Sequence, residues 1–118
     1  MKATKCVLAD SAIKRQPGHE PEFLKGKQID REIARMGLFM ERYDVEDDAF
    51  SIFYDSRQVI IVNGIKYVFG NVVVLHKGDH ATECLSEEEA CRAVIFLMDS
   101  EIDLNYDGVD FKAYELFD

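Results

Sequence analysis

The stretch 59–68, VIIVNGIKYV, restricts the fold of this chain more than any other. Two β-branched runs stand on either side of Asn63-Gly64, and a two-residue type I′ turn needs two positive φ values, which Asn-Gly supplies at low cost. The segment therefore reads as a β-hairpin. Its neighbours extend the pattern: AFSIFYD (49–55) precedes it, and FGNVVVLHK (69–77) continues it with a bend expected at Gly70-Asn71. Three antiparallel strands are expected from 49 to 77, in a meander.

Helices are expected on both sides of this meander. In QIDREIARMGLFMERYD (28–44), Ile29, Ile33, Met36, Met40 and Tyr43 recur at helical spacing, so one amphipathic helix weakened at Gly37 is expected, in preference to a helix that stops there with LFMERY beginning an extended segment. In CLSEEEACRAVIFLMDS (84–100), Ser86 and Glu89 form a capping box and three glutamates sit where the helix dipole favours negative charge. Ala90, Cys91, Val94, Leu97 and Met98 make an apolar face there, and Ile95 and Phe96 widen it toward a buried helix or one that offers a face to a partner. The fold class that follows is α+β: one small domain over 1–118, an antiparallel meander of three to five strands packed with two helices. Residues 1–27 are the least determined part, with TKCVLA (4–9) a short strand and RQPGHEP (15–21) a loop.

With 118 residues, 47% of them apolar and 11% aromatic, the chain has enough material for one core. Its net charge of −9 is uneven: residues 41–118 carry six Lys/Arg against eighteen Asp/Glu, a formal −12. Such a field repels phosphate backbones and draws in cationic proteins. Direct nucleic-acid binding is thereby disfavoured. No apolar run reaches the length of a membrane span. Three cysteines, none in a C-x-x-C pair, and no N-terminal apolar leader fit reduced thiols in a soluble cytoplasmic protein.

The C-terminal stretch DSEIDLNYDGVDFKAYELFD (99–118) sets seven carboxylates and one lysine among four aromatic rings. Asp107-Gly108 is a preferred hairpin turn, and Val109, Phe111 and Ala113 alternate with Asp110, Lys112 and Tyr114, so a docked hairpin is the favoured reading over an acidic tail. Asp103-x-Asn105-x-Asp107-Gly108 resembles the first half of an EF-hand calcium loop, which would make Asp103, Asn105 and Asp107 ligands. The twelfth position is Tyr114 rather than a bidentate glutamate, so such a cage is short of oxygen ligands. His76, His80, Cys84 and Cys91 form a second metal-capable set, admissible for zinc in composition but in an unfamiliar spacing. Cys84 with His76 or His80 as base is a weak nucleophile candidate, because the glutamates beyond the helix cap raise a thiol pKa.

Glycine-rich phosphate loops are absent. The expectation is a non-enzymatic protein with no cofactor, binding a basic partner through Asp99, Glu101, Asp103, Tyr106, Asp107, Asp110, Tyr114 and Glu115. In size and charge the chain resembles small acidic inhibitors from phages and mobile elements, nucleic-acid mimics that occupy the binding site of a nuclease in anti-restriction or anti-CRISPR fashion. That likeness is one of composition and involves no shared motif. The alternative is a metal-dependent module built on 103–108 or 76–91, and self-association stays open.

Overall fold

A computed structural model describes residues 12–48, 50–76, 85 and 87–116. Asn63 and Gly64 take φ of 51° and 82° and close strand β5 (Val59–Val62) onto β6 (Ile65–Val68). The pairing does not stop there. Strand β4 (Phe50–Asp55) lies antiparallel to β7 (Val72–His76), so 50–76 is one long hairpin with a kink halfway along. Tyr54 pairs with Val72 and Val59 with Val68, which leaves the four residues 55–58 opposite the three residues 69–71. An extra residue on one strand bends it and increases its twist. The Phe69 N–H bridges the kink to the Gln58 carbonyl at 3.0 Å. Gly70 lets the Gln58 side chain lie against the backbone where a Cβ would collide with it.

This kink divides the expected meander between two sheets, and what was read as three strands is four. The stem of the hairpin joins a five-stranded sheet in the order β2-β1-β7-β4-β3, where β1 is Ala12–Arg15, β2 Glu22–Leu24 and β3 Met40–Asp44. Its tip joins a four-stranded sheet, β5-β6-β9-β8, with β8 Glu101–Tyr106 and β9 Val109–Leu116. All pairings are antiparallel. The architecture is α+β, with two helices among the described residues.

The five-stranded sheet is covered on both faces, which explains why FSIFY and VVVL are apolar without alternation. Phe50, Ile52, Tyr54, Val72 and Val74 meet Val68, Tyr114 and Leu116 of the smaller sheet and Ala93 and Leu97 of helix α2 (Glu87–Ser100). Phe53, Val73 and Leu75 face the other way, onto Ile29, Ile33 and Met36 of helix α1 (Gly26–Met36). Phe96 of α2 meets the Phe50 ring edge-on at 6.0 Å. On α2 the buried face differs from the expected one: Ala93 and Leu97 are buried, whereas Cys91, Ile95 and Met98 point to solvent. Three glutamates do occupy its first turn; the capping Ser86 lies outside the described residues, as does TKCVLA.

The helix expected to run through Tyr43 ends at Met36. Gly37 takes φ 52°, its N–H returns to the Ile33 carbonyl, and a 3-10 turn over Gly37–Phe39 leads into β3. Met40 and Tyr43, three apart, would share a helix face; in the strand they point to opposite sides, Met40 toward α1 and Tyr43 toward α2. Pairing with β4 along all of Met40–Asp44 overrides the local periodicity. The N-terminal segment contributes more than a loop, since β1 lies between β2 and β7 and Ala12 and Ile13 are fully buried on opposite faces. No helix among the described residues is long and apolar enough to cross a membrane.

Candidate docking hairpin

Helix α2 passes into β8 without a connecting loop, and Asp107 (φ 53°) with Gly108 (φ 82°) turns the chain into β9. The stretch is a hairpin, as expected. Only its base is held in the sheet: β9 pairs with β6 through Tyr114, Glu115 and Leu116, so the half from Asp103 to Lys112 extends past the end of β6. One ring contact supports that outer half, Phe69 edge-on to Phe111 at 6.0 Å.

Alternation sorts the hairpin into two faces. Ile102/Ala113, Leu104/Phe111 and Tyr106/Val109 pair across one side, and Glu101/Tyr114, Asp103/Lys112 and Asn105/Asp110 across the other. On the polar face Lys112 Nζ lies 2.7 Å from Asp103 and 4.0 Å from Glu101, while Asn105 Nδ2 donates to Asp110 at 2.7 Å. Near the turn the apolar face is open: Tyr106 is 50% and Val109 60% exposed. A shallow depression of about 460 Å³ lies over Asp103, Leu104, Asn105, Asp110, Phe111 and Lys112.

The base of the polar face turns into the core. Tyr114 is fully buried; its hydroxyl accepts from Arg15 Nη1 at 3.0 Å and donates to the Arg15 carbonyl at 3.3 Å. Arg15 Nη1 also lies 2.8 Å from Glu101 Oε1, which in turn accepts the Gly18 N–H at 2.8 Å. The adjacent cations of β1 thus part ways, Lys14 pairing with Glu32 of α1 and Arg15 entering the base of the hairpin. Burial pushes the Glu101 carboxyl up, but the Gly18 N–H, Arg15 and Lys112 outweigh it and hold the group below the usual range. Burial raises the Tyr114 phenol to about 12 against the opposing effect of Arg15.

The eight residues expected at a partner surface therefore separate. Asp99, Asp103, Tyr106, Asp107 and Asp110 are exposed. Glu101 is mostly enclosed around Arg15, and Glu115 is half-buried beside the Tyr67 hydroxyl. Tyr114 offers no surface, because the face that carries it meets the core at that level. Val109 belongs with the exposed set and was missed; its place directly across the Asp-Gly turn from Tyr106 was the available signal.

The two metal readings meet a different geometry. Asp103 and Asn105 lie on an extended strand, not in a loop that curls around an ion as in an EF-hand. Their side chains are engaged across the hairpin with Lys112 and Asp110, and Asp107 forms the turn. Of the zinc set, His80 and Cys84 lie outside the described residues, His76 Nδ1 lies 3.0 Å from Glu89, and Cys91 is an exposed free thiol on α2. Among the described residues no group of three or more His, Cys, Asp or Glu is placed to hold a metal ion. No protein-family model, curated protein or solved structure matches the chain.

Proposed function

We propose that the chain is a non-catalytic protein-binding module that docks on a basic surface of a partner through the outer half of the β8–β9 hairpin. The observation that supports this reading is the exposed Tyr106/Val109 pair with Asp107 in the turn beside it and Asp103 and Asp110 on the opposite face of the same hairpin end, whose base is fixed by Arg15, Glu101 and Tyr114. An aromatic anchor at a carboxylate-bearing tip divides the work: the ring supplies contact area, and the carboxylates speed encounter and reject acidic partners. Basic surfaces shaped to hold nucleic acid are the fitting class of target. In its specific form the module occupies such a site on a nuclease, as an inhibitor from a phage or mobile element would.

The test uses the tagged chain as bait in lysate of its native cell, beside Tyr106→Ala and a variant combining Asp107→Asn with Asp110→Lys. Asparagine tolerates the left-handed turn position, so the second variant removes charge without unmaking the hairpin. A cationic protein retained by wild type, released progressively by salt and lost from both variants supports the reading. Retention indifferent to salt and to both substitutions would place the interface elsewhere.

A further inference from the structure

We infer that β5 is a self-association edge, at which two copies of the chain pair their Val59–Val62 strands antiparallel about a two-fold axis through Ile60. Two four-stranded sheets thereby become one of eight.

Among the described residues β5 is the outermost strand of its sheet and pairs only with β6. A two-residue turn makes Val62 and Ile65 the closing hydrogen-bonded pair, and the alternation of an antiparallel ladder then makes Ile60 and Tyr67 the next. Val59 and Ile61 consequently direct their N–H and C=O groups away from β6. This is an open template for another strand.

The composition of the sheet edges singles it out. Edge strands in stable monomers carry charges, prolines or bulges that discourage pairing. Here β2 carries Glu22, β3 carries Glu41, Arg42 and Asp44, and β8 carries Glu101 and Asp103, but β5 is VIIV, with no such guard. Ile61 is 64% exposed.

The edge is self-complementary, which identifies the occupant as a second copy: an uncharged VIIV strand pairs antiparallel with itself without opposing like charges. Two bodies of net charge −9 repel wherever carboxylates would meet, and among the described residues β5 is the sheet edge that brings none to the contact. Its flanking ionic groups are already neutralised, Arg57 by Asp55 at 2.6 Å and Lys66 beside Glu41 at 3.8 Å. Outward-directed residues can hydrogen-bond only to outward-directed residues, and the register that uses both from each copy sets Val59 of one opposite Ile61 of the other, with Ile60 facing its own counterpart. Arg57 then falls opposite Asn63, and no like charges are opposed. Cross-strand pairs of β-branched residues are favourable ones.

Sedimentation velocity over a concentration series, at low and high salt, tests this on the full chain. Wild type is expected to form a dimer as concentration rises, and salt should leave the dimer intact or strengthen it by screening the repulsion. Ile61→Lys and Ile61→Pro should each weaken association at least about tenfold, with circular dichroism unchanged and melting unchanged at concentrations where wild type is monomeric, since an outward edge position tolerates both. Amide exchange on wild type supplies a readout that needs no variant: Val59 and Ile61 should gain protection with concentration, whereas Ile60 and Val62 are protected throughout. A wild type that stays monomeric, a dimer that Ile61→Lys leaves unweakened, or protection at Ile61 independent of concentration would each overturn the proposal. Ile61→Lys should still capture the partner of the hairpin, so the two readings fail separately.

Discussion

Glu101→Ala is expected to destabilise the fold by about 3 kcal/mol, far more than loss of a surface ion pair, which is worth about 0–1 kcal/mol. The side chain accepts from Arg15 Nη1 and the Gly18 N–H, both at 2.8 Å, and is 17% exposed against 7% for Arg15. Removing one member of a buried pair costs about 3–5 kcal/mol, because the other charge stays in a poor solvent. Residual access of water to Glu101 places the cost at the lower end. Arg15 cannot compensate fully: its Nη1 keeps the Tyr114 hydroxyl, but its buried Nε has no hydrogen-bond partner among the described residues. With a urea m-value of about 1–3 kcal/mol/M, the denaturation midpoint should fall by about 1–3 M at unchanged slope. Combining Glu101→Leu with Arg15→Met should recover much of the loss, since it removes both charges and leaves neither stranded. The pH dependence has a fixed sign. A carboxyl held below its unfolded value of 4.5 stabilises above that pH, and the contribution disappears as pH falls through the folded value, so the gap between wild type and variant should close in acid. A loss under about 1 kcal/mol, or a double variant no better than Glu101→Ala, would refute the assignment of Glu101 to the fold.

Tyr114 sets the alkaline limit: its phenol, at about 12 folded against 10.0 unfolded, stabilises fully below pH 10 and loses that contribution as pH rises toward 12. Tyrosinate absorbance of the wild type should show a late step near pH 12 that Tyr114→Phe abolishes; a late step that survives Tyr114→Phe, or none in the wild type, would contradict the burial. Gly70→Ala should cost about 1–3 kcal/mol in a thermal or urea melt, as the new Cβ would collide with the Gln58 carboxamide and stand 2.9 Å from Gln58 Cβ. Adding Gln58→Gly should relieve it where Gln58→Ala does not, and a wild-type melt for Gly70→Ala would argue against the kink.

What could be read from the sequence was what local chemistry decides. Asn63-Gly64 and Asp107-Gly108 each need positive φ at two successive residues, a requirement met by those two residues themselves, and both turns form where expected. The start of α2 is equally local, with its glutamates in the first turn. The rest depended on partners remote in sequence. Nothing within MERYD distinguishes a fifth turn of helix from an edge strand until β4 is available to pair with it. AIKR is too short for a period to show, and it is a strand because β7 and β2 flank it. At the hairpin, alternation correctly placed Tyr114 on the face of Asp110 and Lys112. It could not show that this face passes from solvent into the core between Lys112 and Tyr114, which is what withdraws Tyr114 and Glu101 from any partner.

The same transition changes what the charge count means. Residues 41–118 carry a formal −12, yet within the hairpin Glu101 is offset by Arg15, Asp103 by Lys112, and Asp110 takes a hydrogen bond from Asn105. Asp107, in the turn itself, has no ion pair among the described residues and projects with Tyr106 and Val109 beyond the sheet. The charge available for docking is thus concentrated at one end of the hairpin, and the charge required for folding sits at the other. Asp107 and Asp110 can be altered without touching Arg15, while the uncharged β5 lies across the sheet on the opposite edge. Docking through the tip should weaken with ionic strength and pairing through β5 should not. One salt series, run on wild type and on Ile61→Lys, therefore assigns each association to its own surface.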